Sequence, residues 1–127
     1  MEVLVDSSIW IDYFRTGENS SKLDFLINEN LVVINDLILT ELLPPLLLHN
    51  EKRVVNLLEK IKNNPIKINW QEIIKFQVCC LKLGLNGIGI PDLIIAQNAI
   101  QNNTSIYSLD KHFDYMHTAN IAINQYS

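Results

Sequence analysis

Short apolar runs separated by helical segments constrain the fold of this chain more than any other feature. Five such runs are too short for helices and predict strands, at 2–5, 31–34, 66–69, 105–109 and 120–124. Segments with helical periodicity lie between them, at 8–16, 20–27, 51–62, 71–83 and 91–100. Predominantly apolar strands that alternate with helices predict an α/β fold, in which a parallel sheet is covered by helices on both faces.

Two helices carry more specific predictions. Asp36 is predicted to cap a helix that Pro44 and Pro45 then interrupt, because proline lacks the backbone N–H that a helix interior needs. In the helix at 51–62, apolar residues at helical spacing predict a core-facing side made of Val54, Leu57, Leu58 and Ile61.

Length and composition predict one globular domain that spans residues 1–127. Hydrophobic residues make up 48% of the chain and charged residues 19%, which favours a packed core over disorder. No apolar run reaches the roughly 18 residues of a membrane span, so no membrane association is expected. The two cysteines, Cys79 and Cys80, are adjacent and poorly placed for a disulfide or a zinc site, which favours the reducing cytoplasm.

Four carboxylates lie in unusually apolar surroundings: Asp6, Glu41, Asp92 and Asp110. Three of them have ordinary structural explanations, since Asp6 could cap a helix, Asp92 could favour a helix dipole and Asp110 could begin a turn. Glu41 lies in the middle of a helix between leucines, has no capping role and is predicted to be partly buried. Carboxylates are costly to bury unless they are paired or bind a metal, so the set as a whole indicates a metal site.

Four sequence stretches resemble the PIN-domain ribonucleases, and in particular the VapC-type toxins of type II toxin–antitoxin systems. They are VDSSIWIDYF, TELL, PDLIIAQNAI and SLDKHF, which begin at Val5, Thr40, Pro91 and Ser108. The resemblance implies a PIN-like three-layer sandwich with a central, mainly parallel sheet. It also implies a metal-dependent endoribonuclease that leaves 5′-phosphate and 3′-hydroxyl ends.

The same resemblance implies a set of site residues. Asp6, Glu41, Asp92 and Asp110 would bind the cation and carry catalysis, and Ser8 and Ser108 would support them. Ser108 stands where threonine is common in the family, and Asp114 is the rival for the fourth acid. Because the ligands are all oxygens, the expected cation is Mg²⁺ or Mn²⁺. The histidines His49, His112 and His117 have no metal-ligand spacing and are predicted to have surface or capping roles.

The net charge of −4 is explained by the four proposed ligands, because the remaining acidic and basic residues are equal in number. RNA would then be drawn by local bases, for which Arg15, Lys52, Arg53 and Lys111 are the candidates. The resemblance implies a cognate antitoxin and a homodimer as partners, and the apolar run LLPPLLL at 42–48 is either core or covered by a partner. A catalytically inert PIN-like module that binds RNA or protein, and a housekeeping RNA-processing nuclease, remain alternatives.

Overall fold

The computed structural model describes residues 1–17 and 20–127, which form a parallel sheet with helices around it. In chain order the elements are β1 (Val3–Val5), α1 (Ser7–Arg15), α2 (Ser20–Asn28), β2 (Val32–Ile34), α3 (Asp36–Leu48), α4 (Lys52–Glu59), β3 (Lys62–Asn63), α5 (Trp70–Lys82), α6 (Ile90–Gln101), β4 (Ser105–Tyr107) and α7 (Lys111–Thr118). The sheet order is β3-β2-β1-β4, and every pairing is parallel. The predicted α/β architecture with a parallel central sheet is therefore confirmed.

The parallel order brings the ends of three strands to one edge of the sheet. In the register of the pairs, Val5 lies opposite Tyr107, and Leu4 lies opposite Val33. The residues that follow β1, β2 and β4 therefore emerge side by side. Ligand sites of open α/β sheets lie at this carboxyl edge.

The strands are buried because helices pack on the sheet. Val3, Leu4 and Val5 have no exposed surface, and the buried cluster to which they belong extends to Ile123. Trp10 of α1 is also fully buried. Among the described helices, none has both the length and the apolar character that a bilayer crossing requires.

The structure corrects both predictions about α3. Its N-cap is Asn35, whose side chain accepts a hydrogen bond from the Ile38 N–H, and Asp36 is the first helical residue. The helix also continues through Pro44 and Pro45 to Leu48. Both prolines are exposed, so the two carbonyls that lose a backbone donor lie where water can bond to them.

The core-facing side of α4 was predicted correctly for Leu58, and Val54 and Ile61 pack against the core partly buried, but the prediction included Leu57 and omitted Val55. Val55 and Leu58 are the buried residues, whereas Leu57 is exposed and the helix ends at Glu59. Lys62 and Asn63 leave the helical path and pair with β2, an edge strand that the prediction missed.

Two predicted strands are absent from the described chain. At 66–69 the backbone is held by Gln97 instead, which accepts from the Asn69 N–H and donates to the Asn69 carbonyl. Asn69 then caps α5. At 120–124 the chain runs beside β4, but only one isolated bridge forms, between Ile106 and Gln125.

Candidate metal centre

Asp6 joins β1 to α1 and is almost fully buried. It occupies the N-cap position of α1, yet its side chain makes no capping hydrogen bond to the helix. Its Oδ2 instead accepts hydrogen bonds from the hydroxyls of Ser8, at 2.9 Å, and Ser108, at 2.8 Å. Capping therefore does not explain the burial of this carboxylate, and the two hydroxyls fix its orientation.

The two serines also tie β1 and β4 together at the carboxyl edge of the sheet. The Ser8 Oγ accepts from the Leu109 N–H at 3.0 Å, and the Ser108 Oγ accepts from the Asp110 N–H at 2.9 Å. Each hydroxyl thus donates to the Asp6 carboxylate and accepts from the loop after β4. This network holds the segment that carries Asp110 beside Asp6.

Asp92 and Asp110 reach this edge from the starts of two helices. Asp92 lies in the first turn of α6, and Asp110 is the N-cap of α7, where its Oδ1 accepts from the His112 N–H. The His112 Nδ1 lies 2.7 Å from the Asp92 Oδ2 and 3.5 Å from the Asp110 Oδ1. One ligand atom from each of the three residues falls within 4.8 Å of the others, which is a spacing that could hold a metal ion.

Burial and neighbouring charges alter the pKa values of this group. Burial raises the pKa of Asp92, and the negative charges of Asp110 and Asp6 act in the same direction, while the hydrogen bond from His112 opposes them. That hydrogen bond raises the pKa of His112. Asp92 is thus a half-buried acid for which the ionised form is disfavoured unless a cation compensates.

Glu41 completes the group from α3. It is exposed, whereas the sequence predicted partial burial. Desolvation by the surrounding protein atoms nevertheless raises the pKa of Glu41, and the negative charges of Asp6, Asp92 and Asp110 raise it further. A hydrogen bond from Ser7 opposes this shift. The structure therefore brings all four predicted acids within electrostatic reach of one another.

Asp114, the rival for the fourth position, has a different environment. It is exposed on α7, and its Oδ1 accepts a hydrogen bond of 2.7 Å from the Gln125 side chain. It makes no contribution to the pKa shifts of Glu41 or Asp92, whereas Asp110 contributes to both. The geometry favours Asp110.

Sequence reasoning missed His112, which was given only a surface or capping role. The sequence signal that could have identified His112 is its position two residues after Asp110, in the first turn of α7, whose N-cap Asp110 follows the end of β4. Phe113, the next residue, is fully buried and holds the first turn of α7 against the core. The ring of His112 is consequently directed to the Asp92 side chain.

The four basic residues proposed to contact RNA are exposed but differ in their relation to the acids. Arg15 ends α1 and lines a hollow of about 190 Å³ together with Glu41 and Phe14. Lys111 directly follows Asp110. Lys52 and Arg53 begin α4, where Lys52 lines a separate hollow beside Val55. Arg15 and Lys111 are therefore the better placed pair.

Glu41→Gln should raise the melting temperature of the cation-free protein by about 1–4 °C at pH 7 to 8. The pKa of Glu41 is raised above its ordinary value of 4.5, so ionised Glu41 destabilises the fold at neutral pH. The gain should be much smaller near pH 4, where the wild-type side chain is mostly protonated in both the folded and the unfolded states. Thermal unfolding in chelator at both pH values tests this, and an equal gain at both would contradict the electrostatic origin.

Comparisons with known proteins agree with this fold. A model of the PIN domain family matches residues 3–117. No curated protein matches the chain significantly in sequence. Among solved structures, VapBC2 from Rickettsia felis, determined bound to a DNA fragment from its promoter, matches with a TM-score of 0.75 and 18% identity over 98% of both chains.

Two further solved structures share the fold. DNA-bound VapBC from Salmonella typhimurium matches with a TM-score of 0.75 and 13% identity, over 99% of this chain and 97% of the other. FitAcB from Neisseria gonorrhoeae matches with a TM-score of 0.71 and 19% identity, over 97% and 96%. At these identities the similarity establishes a common fold over nearly the full length of each chain.

Proposed function

The chain belongs to the PIN domain family, and we propose that it is a metal-dependent endoribonuclease that acts as the toxin of a VapBC-type toxin–antitoxin pair. One observation supports the nuclease proposal: the negative charges of Asp6, Asp92 and Asp110 act on Glu41, and those of Asp6 and Asp110 act on Asp92, near the carboxyl edge of the parallel sheet. Clustered carboxylates of this kind are the ligands that Mg²⁺ and Mn²⁺ prefer.

The residues fit a divalent cation in chemistry and in charge. Burial and mutual repulsion raise the pKa values of Glu41 and Asp92, and a bound cation would remove that penalty. Asp6, Asp92 and Asp110 would hold the cation, with the Asp6 carboxylate oriented by its two serine partners. A cation bound there would activate a water molecule and neutralise charge on a phosphoryl oxygen.

Glu41 is the best placed of the four acids to handle the proton of the attacking water. It is exposed, so water and RNA can reach it, and its raised pKa makes it a better proton acceptor than an ordinary glutamate. The water oxygen would bond to phosphorus and lose a proton to Glu41, while the bond from phosphorus to the 3′ oxygen breaks and the 3′ oxygen takes a proton from the solvent. The products are then a 5′-phosphate and a 3′-hydroxyl, and the 2′-hydroxyl takes no part.

Arg15 and Lys111 would hold the phosphates on either side of the scissile bond. Both are exposed, Arg15 beside Glu41 and Lys111 beside Asp110. Lys52 and Arg53 would extend the contact along α4 if the RNA passes that helix. Each phosphate contact adds salt-sensitive affinity with little sequence preference, so cleavage specificity would depend on other contacts.

We also propose two protein partners, a cognate antitoxin and a second copy of the chain. The antitoxin follows from the VapBC structures that share this fold, in which toxin and antitoxin form a complex.

For the homodimer, Trp70, Ile74, Val78 and Leu81 form an exposed apolar stripe along α5. Within the run at 42–48, Leu42 is buried but Leu47 and Leu48 are exposed, which fits coverage by a partner better than a wholly core role. The site of action would be the cytoplasm, where RNA and antitoxin are available.

Labelled single-stranded RNA distinguishes this proposal from an inert binding module. Purified protein should cleave it with Mg²⁺ or Mn²⁺, should stop cleaving in excess chelator, and should leave ends that a 5′-phosphate-dependent exonuclease degrades. RNA binding without cleavage under all of these conditions would favour the inert module instead. Brief induction in cells, with growth followed and RNA ends sequenced, separates a toxin from a housekeeping nuclease. A toxin would cleave RNA and arrest growth, whereas a processing nuclease would leave growth unaffected.

A further inference from the structure

His112 lies at the distance from two of the carboxylates that a shared cation requires. Neighbouring ligands of an octahedral cation with bonds of about 2.1 Å lie about 3.0 Å apart. The His112 Nδ1 is 2.7 Å from the Asp92 Oδ2 and 3.5 Å from the Asp110 Oδ1, so the two distances bracket that value. The imidazole nitrogen is therefore already at ligand spacing from both acids.

The position of the ring is set by the start of α7. The His112 N–H donates to the Asp110 Oδ1 at 2.9 Å, so the backbone of His112 and the side chain of Asp110 fix each other. Phe113 and Met116, both fully buried, hold α7 in the core. Only small rotations of the ring and of the Asp92 carboxylate would be needed to admit a cation in place of the hydrogen between Nδ1 and Oδ2.

An imidazole ligand changes which cation the site prefers. Mg²⁺ favours oxygen ligands and holds its waters tightly, whereas transition-metal cations accept imidazole nitrogen. We propose that His112 is a nitrogen ligand of the cation and that it makes the site select Mn²⁺ over Mg²⁺. This inference rests on the proposed function, since it concerns the same cation site.

Binding of the two cations by the whole protein tests this assignment. Calorimetric titration should give a preference for Mn²⁺ over Mg²⁺ that falls roughly tenfold or more in His112→Asn, through weaker Mn²⁺ binding. His117→Asn is the matched control, because His117 is an exposed histidine on the same helix, and it should keep the wild-type preference.

Pulsed electron paramagnetic resonance of the Mn²⁺ complex supplies a readout that requires neither activity nor a variant. Nitrogen modulation from a directly bound imidazole is expected in the wild type and in His117→Asn, and it should be absent in His112→Asn. Bound Mn²⁺ without nitrogen modulation in the wild type would overturn the assignment and would leave His112 only as a hydrogen-bond partner of Asp92. In that case the proposed nuclease would stand. Failure of the wild type to bind either cation would overturn both.

Discussion

Asp92→Asn is expected to lower RNA cleavage by roughly 100-fold or more while the protein stays folded. Asp92 is the carboxylate that lies closest to the His112 ring and is flanked by Asp6 and Asp110, so it is central to any cation held at the sheet edge. Asparagine has nearly the same shape but no negative charge. The substitution should therefore remove a cation ligand without leaving a cavity.

The measurements for Asp92→Asn are the initial cleavage rate in saturating Mg²⁺ or Mn²⁺ and the cation affinity by calorimetry. Both should fall together, and circular dichroism should be unchanged. In cells, induction of this variant should no longer arrest growth.

Asp114→Asn is the matched control, since Asp114 is an exposed aspartate on α7 whose partner is Gln125. It should keep nearly full activity. Loss of activity in Asp114→Asn with retention in Asp110→Asn would show that the fourth acid had been assigned to the wrong residue.

Asn98→Leu is expected to lower the free energy of unfolding by about 3 kcal/mol and the melting temperature by about 10 °C. The Asn98 side chain is buried on α6 and accepts a hydrogen bond of 3.0 Å from the Asn35 amide. It also donates to the carbonyls of Asn64 and Pro65. Leucine would leave the Asn35 amide and both carbonyls without this partner, and the loss is destabilising above all at the buried residues Asn35 and Asn64.

The same substitution tests how the site is held together. Asn35 is the N-cap of α3, which carries Glu41, while Asn98 lies on α6, which carries Asp92. Asn98→Leu should therefore also weaken cation binding at temperatures where the variant is folded. Chemical denaturation gives the stability change, and Asn56→Leu, at an exposed position of α4, is the control that should change stability by less than about 0.5 kcal/mol. A loss below about 1 kcal/mol in Asn98→Leu would mean that water replaces the lost hydrogen bonds.

The hydrophobic pattern predicted the parallel sheet and the order of most elements. Val3–Val5 and Val32–Ile34 are wholly apolar and buried on both faces, and such runs can be recognised from the sequence alone. It also identified four acids whose burial or apolar surroundings required an explanation. For Asp6 the structure rules out side-chain capping, since its oxygen is held by Ser8 and Ser108.

Contacts between residues far apart in the chain explain two errors in the predicted secondary structure. The run at 66–69 looks like a strand, but Gln97, far along the chain, takes up the backbone groups of Asn69. Pro44 and Pro45 would end an isolated helix, yet α3 continues to Leu48, and Leu42, in the turn before Pro45, packs into the core. In both places a distant contact outweighed a local preference.

By itself, the sequence determined the fold class, the four acids and the strand ends at which three of the connections begin. Only the tertiary structure shows that the charge of Asp110 acts on Glu41 and Asp92, and that Glu41 is exposed. It alone also shows the contact of the His112 ring with Asp92 and the buried hydrogen bond between Asn35 and Asn98. The physical reason is that apolar periodicity is set by neighbours along the chain, and it can be recognised from one sequence. Side-chain hydrogen bonds and electrostatic contacts join residues up to about a hundred positions apart, as Asp6 and Ser108 are, and they exist only once the sheet has formed.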